Sequence, residues 1–292
     1  MKANLFIVGA CKAGTSFLHN YLGTQNDICP SIPKEPYFFE LVVSKRDHFK
    51  YIEKYYPHRN NESFLLDGRH RNMFFKWIPE LIYKYNKESK IIFILRNPVD
   101  RAFSHWWMWY SRGIIKSNFR KAIQKEKLRL KEFKLSDLTP ENYKFYIDNN
   151  VPDSRIAYAD FETILESGLY FEQIQEFKKY FKKENILILD FDTLKNEGEL
   201  NAKLESFLQI EIKTLEPETK KMNKAKEFKK IIPGSSALSF LIPKKLKKYI
   251  KNLFYSKPEI KTSDEVFLKK FYHQSNLKLI NHLGLSFTKK WL

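Results

Sequence analysis

The sequence predicts an α/β fold: a central parallel sheet with helices on both faces, a P-loop-like phosphate-binding loop near its start, a helical insertion and a helical tail. Three observations carry this. Short β-rich runs alternate with stretches of helical periodicity, the pattern of parallel strands joined by crossover helices. A glycine loop joins the first such run to the first helical stretch. The 292 residues are 43% hydrophobic and 16% aromatic, enough to bury a substantial core. No internal repeat or low-complexity linker breaks the pattern, so a single domain over 1–292 is expected.

The elements follow in order. Asn4 to Val8 is β-rich, Gly9 to Ser16 is a turn, and Phe17, Leu18, Tyr21 and Leu22 recur at helical spacing. Further strands are predicted at Phe64 to Leu66, Lys90 to Leu95 and Asn185 to Asp190. Between Ser104 and Tyr146 lies a helical stretch rich in Trp, Lys and Arg, with Leu135 to Pro140 its most loop-like part. It reads as an insertion, about 104–165, lying over the site. Glu172 to Phe181 is an amphipathic helix feeding the last strand, and Asn201 to Leu208 a short helix after it. Pro233 to Ser236 punctuates the chain before a basic helical tail, about 235–292, with helices at Lys244 to Lys251 and Ser263 to Leu283. In such sheets ligands bind beyond the carboxyl ends of the strands.

Composition excludes several classes. Cys11 and Cys29 are the only cysteines, too few for a disulfide scaffold and without zinc-ligand spacing, so a reducing compartment is expected. The apolar run Leu5 to Val8 is too short for a secretory segment, and no later run reaches the roughly 20 residues that span a bilayer. Cytoplasmic location is the expectation, with peripheral contact at an anionic inner membrane surface compatible with the charge. The net charge is +18, which attracts polyanions such as nucleotides, acidic glycans or lipid headgroups. From Glu199 onward there are 20 Lys, 9 acids and no Arg. Arg is the residue suited to bidentate base recognition, so this region reads as a solvated lysine surface and no specific nucleic-acid partner is expected.

Gly9 to Ser16 reads Gly-Ala-Cys-Lys-Ala-Gly-Thr-Ser, follows a strand and opens a helix. Backbone N–H groups and the positive end of a helix bind phosphate in that context. The loop differs from the nucleoside-triphosphate pattern, where Lys follows the second glycine and a hydroxyl residue ligates Mg²⁺. Here Thr15 follows Gly14 and the lysine is Lys12. Lys12 can contact a 5′-phosphate and the bridging oxygen of a leaving group, with Ala13, Gly14, Thr15 and Ser16 on the same phosphate and no metal required. A second phosphate site is predicted where the Lys90 to Leu95 strand gives way to Arg96, Asn97 and Pro98. Pro98 and Asp100 suit a helix start, and Arg96 with Ser104 can grip one phosphate from two sides. A strand ending in Arg96 and Asn97, without an aspartate for Mg²⁺, argues against an NTPase.

These two elements resemble the PAPS-dependent sulfotransferase family, where PAPS is 3′-phosphoadenosine 5′-phosphosulfate; the heparan-sulfate and bacterial branch is the most similar. There the first loop reads K-x-G-T-[ST] and the second R-[ND]-P-x-[DE]-R-x-x-S, matched by Lys12, Gly14, Thr15 and Ser16, and by Arg96, Asn97, Pro98, Asp100, Arg101 and Ser104. The likeness extends to Lys34 to Phe39, Ser167 to Tyr170 and Lys290 to Leu292. The resemblance implies sulfuryl transfer from PAPS to a hydroxyl or amine, with 3′-phosphoadenosine 5′-phosphate as product. A glycan, glycolipid or small alcohol would be the acceptor.

Sulfuryl transfer needs a base, and the resemblance implies Glu35, whose aromatic and proline-rich surroundings are expected to raise its pKa. The family's histidine stands as Tyr37 here, and Asp67 to Arg71 replaces a Ser-Pro-x-Tyr segment. Acceptor contacts are therefore expected from Lys34, Tyr37, Arg69, His70 and Trp107, with at least one of Trp106, Trp107 and Trp109 in the core. The resemblance brings Tyr170 to the adenine or 3′-phosphate, and Lys224 and Lys226 to a loop closing over the nucleotide. The competing readings are a metal-dependent nucleotide kinase and a non-catalytic polyanion binder; the oligomeric state is not encoded in these motifs.

Overall fold

The computed structural model describes residues 1–40, 47–111, 114–150, 163–214 and 258–292. Five parallel strands form one sheet: β1 (Leu5–Gly9), β2 (Ile28–Pro30), β3 (Phe64–Asp67), β4 (Lys90–Leu95) and β5 (Ile186–Asp190), in the order β2-β3-β1-β4-β5. The four predicted strands are all present. β2 was not predicted because it is three residues long and ends in proline, a residue that sheets accept at an edge. β1 is buried along its whole length and β4 at five of six positions, the signature of a sheet covered on both faces.

The strand order fixes where a ligand can sit. From β1 the chain passes through α1 (Thr15–Leu22) to β2 and β3 on one side, then crosses to β4 on the other through α3 (Ile78–Tyr85). Such a reversal opens a crevice at the carboxyl end of the central strand. The turns after β1, β3 and β4 therefore converge, and these are the three segments singled out in the sequence.

β4 leads into α4 (Pro98–Tyr110), whose start is set as predicted: Asn97 accepts from the Val99 N–H at 3.0 Å, Pro98 occupies the first turn and Asp100 follows. α4 begins the connection from β4 to β5, which continues through α5 (Phe119–Glu132), a 3₁₀ turn at Leu135–Asp137 and α6 (Pro140–Asn150). Short α2 (His48–Tyr55) backs the aromatic segment around Phe38 and Phe39. Beyond these run α7 (Tyr170–Lys178), α8 (Glu197–Leu208) and α9 (Thr262–Leu283), then a 3₁₀ turn at Ser286–Trp291. The Lys244 to Lys251 helix lies outside the described residues.

Two apolar clusters result. The larger packs both sheet faces; the smaller joins α4, α5 and α9 through Phe103, Trp106, Phe119, Ile123, Leu268 and Tyr272. Glu126 of α5 ties the insertion to the sheet domain. Fully buried, it accepts from the N–H groups of Leu165 (2.7 Å) and Glu166 (2.9 Å). Burial pushes its pKa up to about 7, against the pull of Arg129. No helix among the described residues is long and apolar enough to cross a membrane.

Candidate active site

The donor loop needs two left-handed residues. Lys12 has φ 65° and Gly14 φ 93°, a conformation glycine adopts without cost. A Cβ on Gly14 would lie 2.5 Å from Leu194 Cδ1, so the leucine tip would have to shift; the left-handed backbone is the stronger reason for glycine. Gly14 precedes α1, which has no side-chain cap, so its first N–H groups have no intrahelical partner. Ala13 and Thr15 are buried under the loop while Ser16 is exposed.

The loop and Arg96 are in direct contact. Arg96 donates from Nη1 to the Lys12 carbonyl at 3.3 Å, so its guanidinium lies against the backbone of the loop. Among the described residues Arg96 Nε is a buried donor with no partner, a group that a phosphate oxygen would satisfy. The guanidinium lies over the Phe191 ring at 4.8 Å. Lys12 Nζ donates to Met108 Sδ at 3.5 Å. Ser104 is half-buried one turn before Met108, and residues four apart share a helix face. Ser104 therefore stands on the face of α4 that leans over Lys12.

Glu35 is joined to the loop through Lys34. Its Oε1 accepts from Lys34 Nζ at 3.0 Å, and its Oε2 lies 3.0 Å from His70 Nδ1 and 3.5 Å from Arg69 Nη1. Lys34 Nζ also reaches the Gly68 carbonyl at 2.9 Å and Thr15 Oγ1 at 3.4 Å, linking the candidate base to the donor loop. The expected rise in the Glu35 pKa is reversed: burial acts upward, but His70, Lys34 and Arg69 together hold the carboxyl well below the usual range. Glu35 is held ionised by its neighbours.

Two of the predicted contact positions are buried and hydrogen-bonded within the protein. Arg69 was expected to meet the acceptor, but it is 4% exposed and forks onto Glu40, Nε to Oε1 at 2.7 Å and Nη2 to Oε2 at 3.0 Å. Glu40 also receives Arg71 Nε at 3.2 Å, and Arg71 Nη2 donates to the Tyr143 hydroxyl at 2.6 Å. Arg69 therefore works through the carboxylates. Tyr170 was expected to touch the nucleotide, yet it has no exposed surface and its hydroxyl donates to the Arg96 carbonyl at 2.8 Å; it braces Arg96 from behind.

The remaining positions divide. His70 and Lys34 line the crevice beside Glu35, and Tyr37 stacks under Arg69 at 5.1 Å. Trp106 is core, donating to the Ser117 carbonyl at 3.1 Å, while Trp107 is half-buried against Trp106 and Tyr110. Lys224 and Lys226 lie outside the described residues. Glu40 and Phe191 were not anticipated. Two arginines one residue apart, Arg69 and Arg71, were the available signal for a buried acid.

A carboxylate does end a strand beside β1. Asp67 closes β3, but Tyr51 donates to its Oδ2 at 2.7 Å and the Arg69 N–H to its Oδ1 at 2.8 Å. Burial pushes its pKa up to about 6, against those hydrogen bonds and the charges of Arg69 and Lys34. Both oxygens are thus committed inside the core.

The parallel sheet, with a glycine loop opening α1 and Arg96 against that loop, is the fold of an α/β transferase. The chain belongs to the sulfotransferase family: the family model described as Sulfotransferase domain matches residues 2–272. Its fold is similar to that of a sulfotransferase from Alicyclobacillus acidocaldarius, with TM-score 0.67, 99% of each chain covered and 19% identity. Over 204 residues, 66% of this chain, it is 24% identical to the bifunctional heparan sulfate N-deacetylase/N-sulfotransferase 1 of Xenopus laevis. The chain spans only 20% of that relative's length.

Proposed function

We propose that the enzyme transfers the sulfuryl group of PAPS to a hydroxyl or amine, with a carbohydrate or glycolipid as the favoured acceptor class. In this reading the acceptor oxygen or nitrogen bonds to sulfur as the sulfur–oxygen bond to the 5′-phosphate breaks. The electron pair leaves on 3′-phosphoadenosine 5′-phosphate and the acceptor proton goes to Glu35. Lys12 and the loop N–H groups take the 5′-phosphate, and Arg96 with Ser104 takes the 3′-phosphate. Positioning and charge stabilisation supply most of the catalysis in such in-line transfers. Lys12 and the loop N–H groups carry the charge that develops on the 5′-phosphate in place of a metal. The cytoplasm is the proposed setting, and the net charge of +18 favours acceptors held at an anionic surface.

The observation that supports this reading is the Arg96 contact with the Lys12 carbonyl, because one doubly phosphorylated adenosine needs its second cation next to the glycine loop. With EDTA present, 3′-phosphoadenosine 5′-phosphate should raise the melting temperature, as any ligand of the folded state does. Greater stabilisation by ATP with Mg²⁺ would favour a kinase instead.

A further inference from the structure

Arg96 is supported at both ends by neighbours that share a common brace. At the backbone end, the Tyr170 hydroxyl donates to the Arg96 carbonyl, and the Tyr170 ring meets Trp291 edge-on with centroids 6.1 Å apart. At the other end the guanidinium rests on Phe191. Phe191 stands between Asp190 and Asp192, and Lys290 Nζ donates to Asp190 Oδ2 at 2.7 Å and to Asp192 Oδ2 at 2.6 Å. Asp190 Oδ1 meanwhile accepts from the Asp192 N–H at 3.2 Å, opening the 3₁₀ turn Phe191–Lys195. The consecutive residues Lys290 and Trp291 thus reach the supports of both the carbonyl and the guanidinium of Arg96.

We propose that Lys290 and Trp291 are positioning residues for Arg96, fixing its guanidinium where the ligand's 3′-phosphate is received. The inference rests on the reading of Arg96 as the 3′-phosphate residue. Fixing a guanidinium matters because its fork engages phosphate in one plane, so a small rotation breaks a bidentate contact. The Lys290 side chain is 47% exposed, and exposed ion pairs add little to global stability. Its effect is expected in ligand affinity.

The test compares 3′-phosphoadenosine 5′-phosphate with 5′-AMP, which lacks the 3′-phosphate, by calorimetric titration of Lys290→Gln, Lys290→Arg, Trp291→Phe and Arg96→Ala. Lys290→Gln should keep the parent melting temperature and AMP affinity. Its preference for the bisphosphate should fall about fivefold, the scale of coupling within one hydrogen-bond network. Lys290→Arg should restore that preference, and Trp291→Phe should lower it. An unchanged preference in Lys290→Gln, or equal weakening of both ligands, overturns the inference. Arg96→Ala separates the two levels: if it retains the parent preference, the reading of Arg96 itself fails; if it loses the preference while Lys290→Gln does not, only the brace fails.

Discussion

Glu35→Gln should fold, bind 3′-phosphoadenosine 5′-phosphate like the parent, and lose turnover by about 10²- to 10⁴-fold, the range a positioned general base contributes. The amide keeps the shape of the carboxyl but cannot take the acceptor proton. The surroundings of Glu35 give the experiment a second readout. Burial favours its neutral form, yet His70, Lys34 and Arg69 outweigh it and lower the folded-state pKa. A carboxyl depressed in this way stabilises the fold above its ordinary pKa, and that contribution is lost as pH falls through the folded value. The parent should therefore lose stability in acid more steeply than Glu35→Gln. Single-turnover transfer from labelled PAPS measures the first effect; full activity in Glu35→Gln would remove Glu35 as the base.

The largest stability effect belongs to Glu40→Ala, expected to cost about 3–5 kcal/mol because it strands a buried charge. Glu40 is fully enclosed, and burial alone would keep it neutral. Arg69 and Arg71 on either side hold it ionised. Without it, two guanidinium groups remain in the interior, one 4% and the other 2% exposed. Removing one partner of a buried charge cluster differs from replacing the whole cluster by apolar groups, which can be neutral. Urea denaturation reads the change as a lowered midpoint at unchanged slope. A midpoint equal to that of the parent would mean that Arg69 and Arg71 have adequate counter-charges elsewhere.

The sequence made the parallel sheet legible because four strands are continuous apolar runs bounded by turn residues, a signal that needs no tertiary information. β2 escaped because three residues ending in Cys29 and Pro30 carry no period. The donor loop was legible through Lys12, Gly14 and Thr15, whose spacing is local. Arg96 was legible as the first residue past a buried strand. What stayed hidden depended on contacts distant in sequence. Arg69 reads from sequence as an acceptor contact and Tyr170 as a nucleotide contact, while their partners in the fold, Glu40 and the Arg96 carbonyl, lie 29 and 74 residues away. The pKa of Glu35 was misjudged in sign for the same reason: local aromatic residues announce desolvation, whereas His70 and Arg69 arrive from another strand end.

The most direct measurement is a crystal structure with 3′-phosphoadenosine 5′-phosphate bound. The expected result is one molecule with its 5′-phosphate on the N–H groups of Gly14 to Ser16 beside Lys12, and its 3′-phosphate on Arg96 and Ser104. A nucleotide bound with its 3′-phosphate away from Arg96, or at a different face of the sheet, would contradict the account.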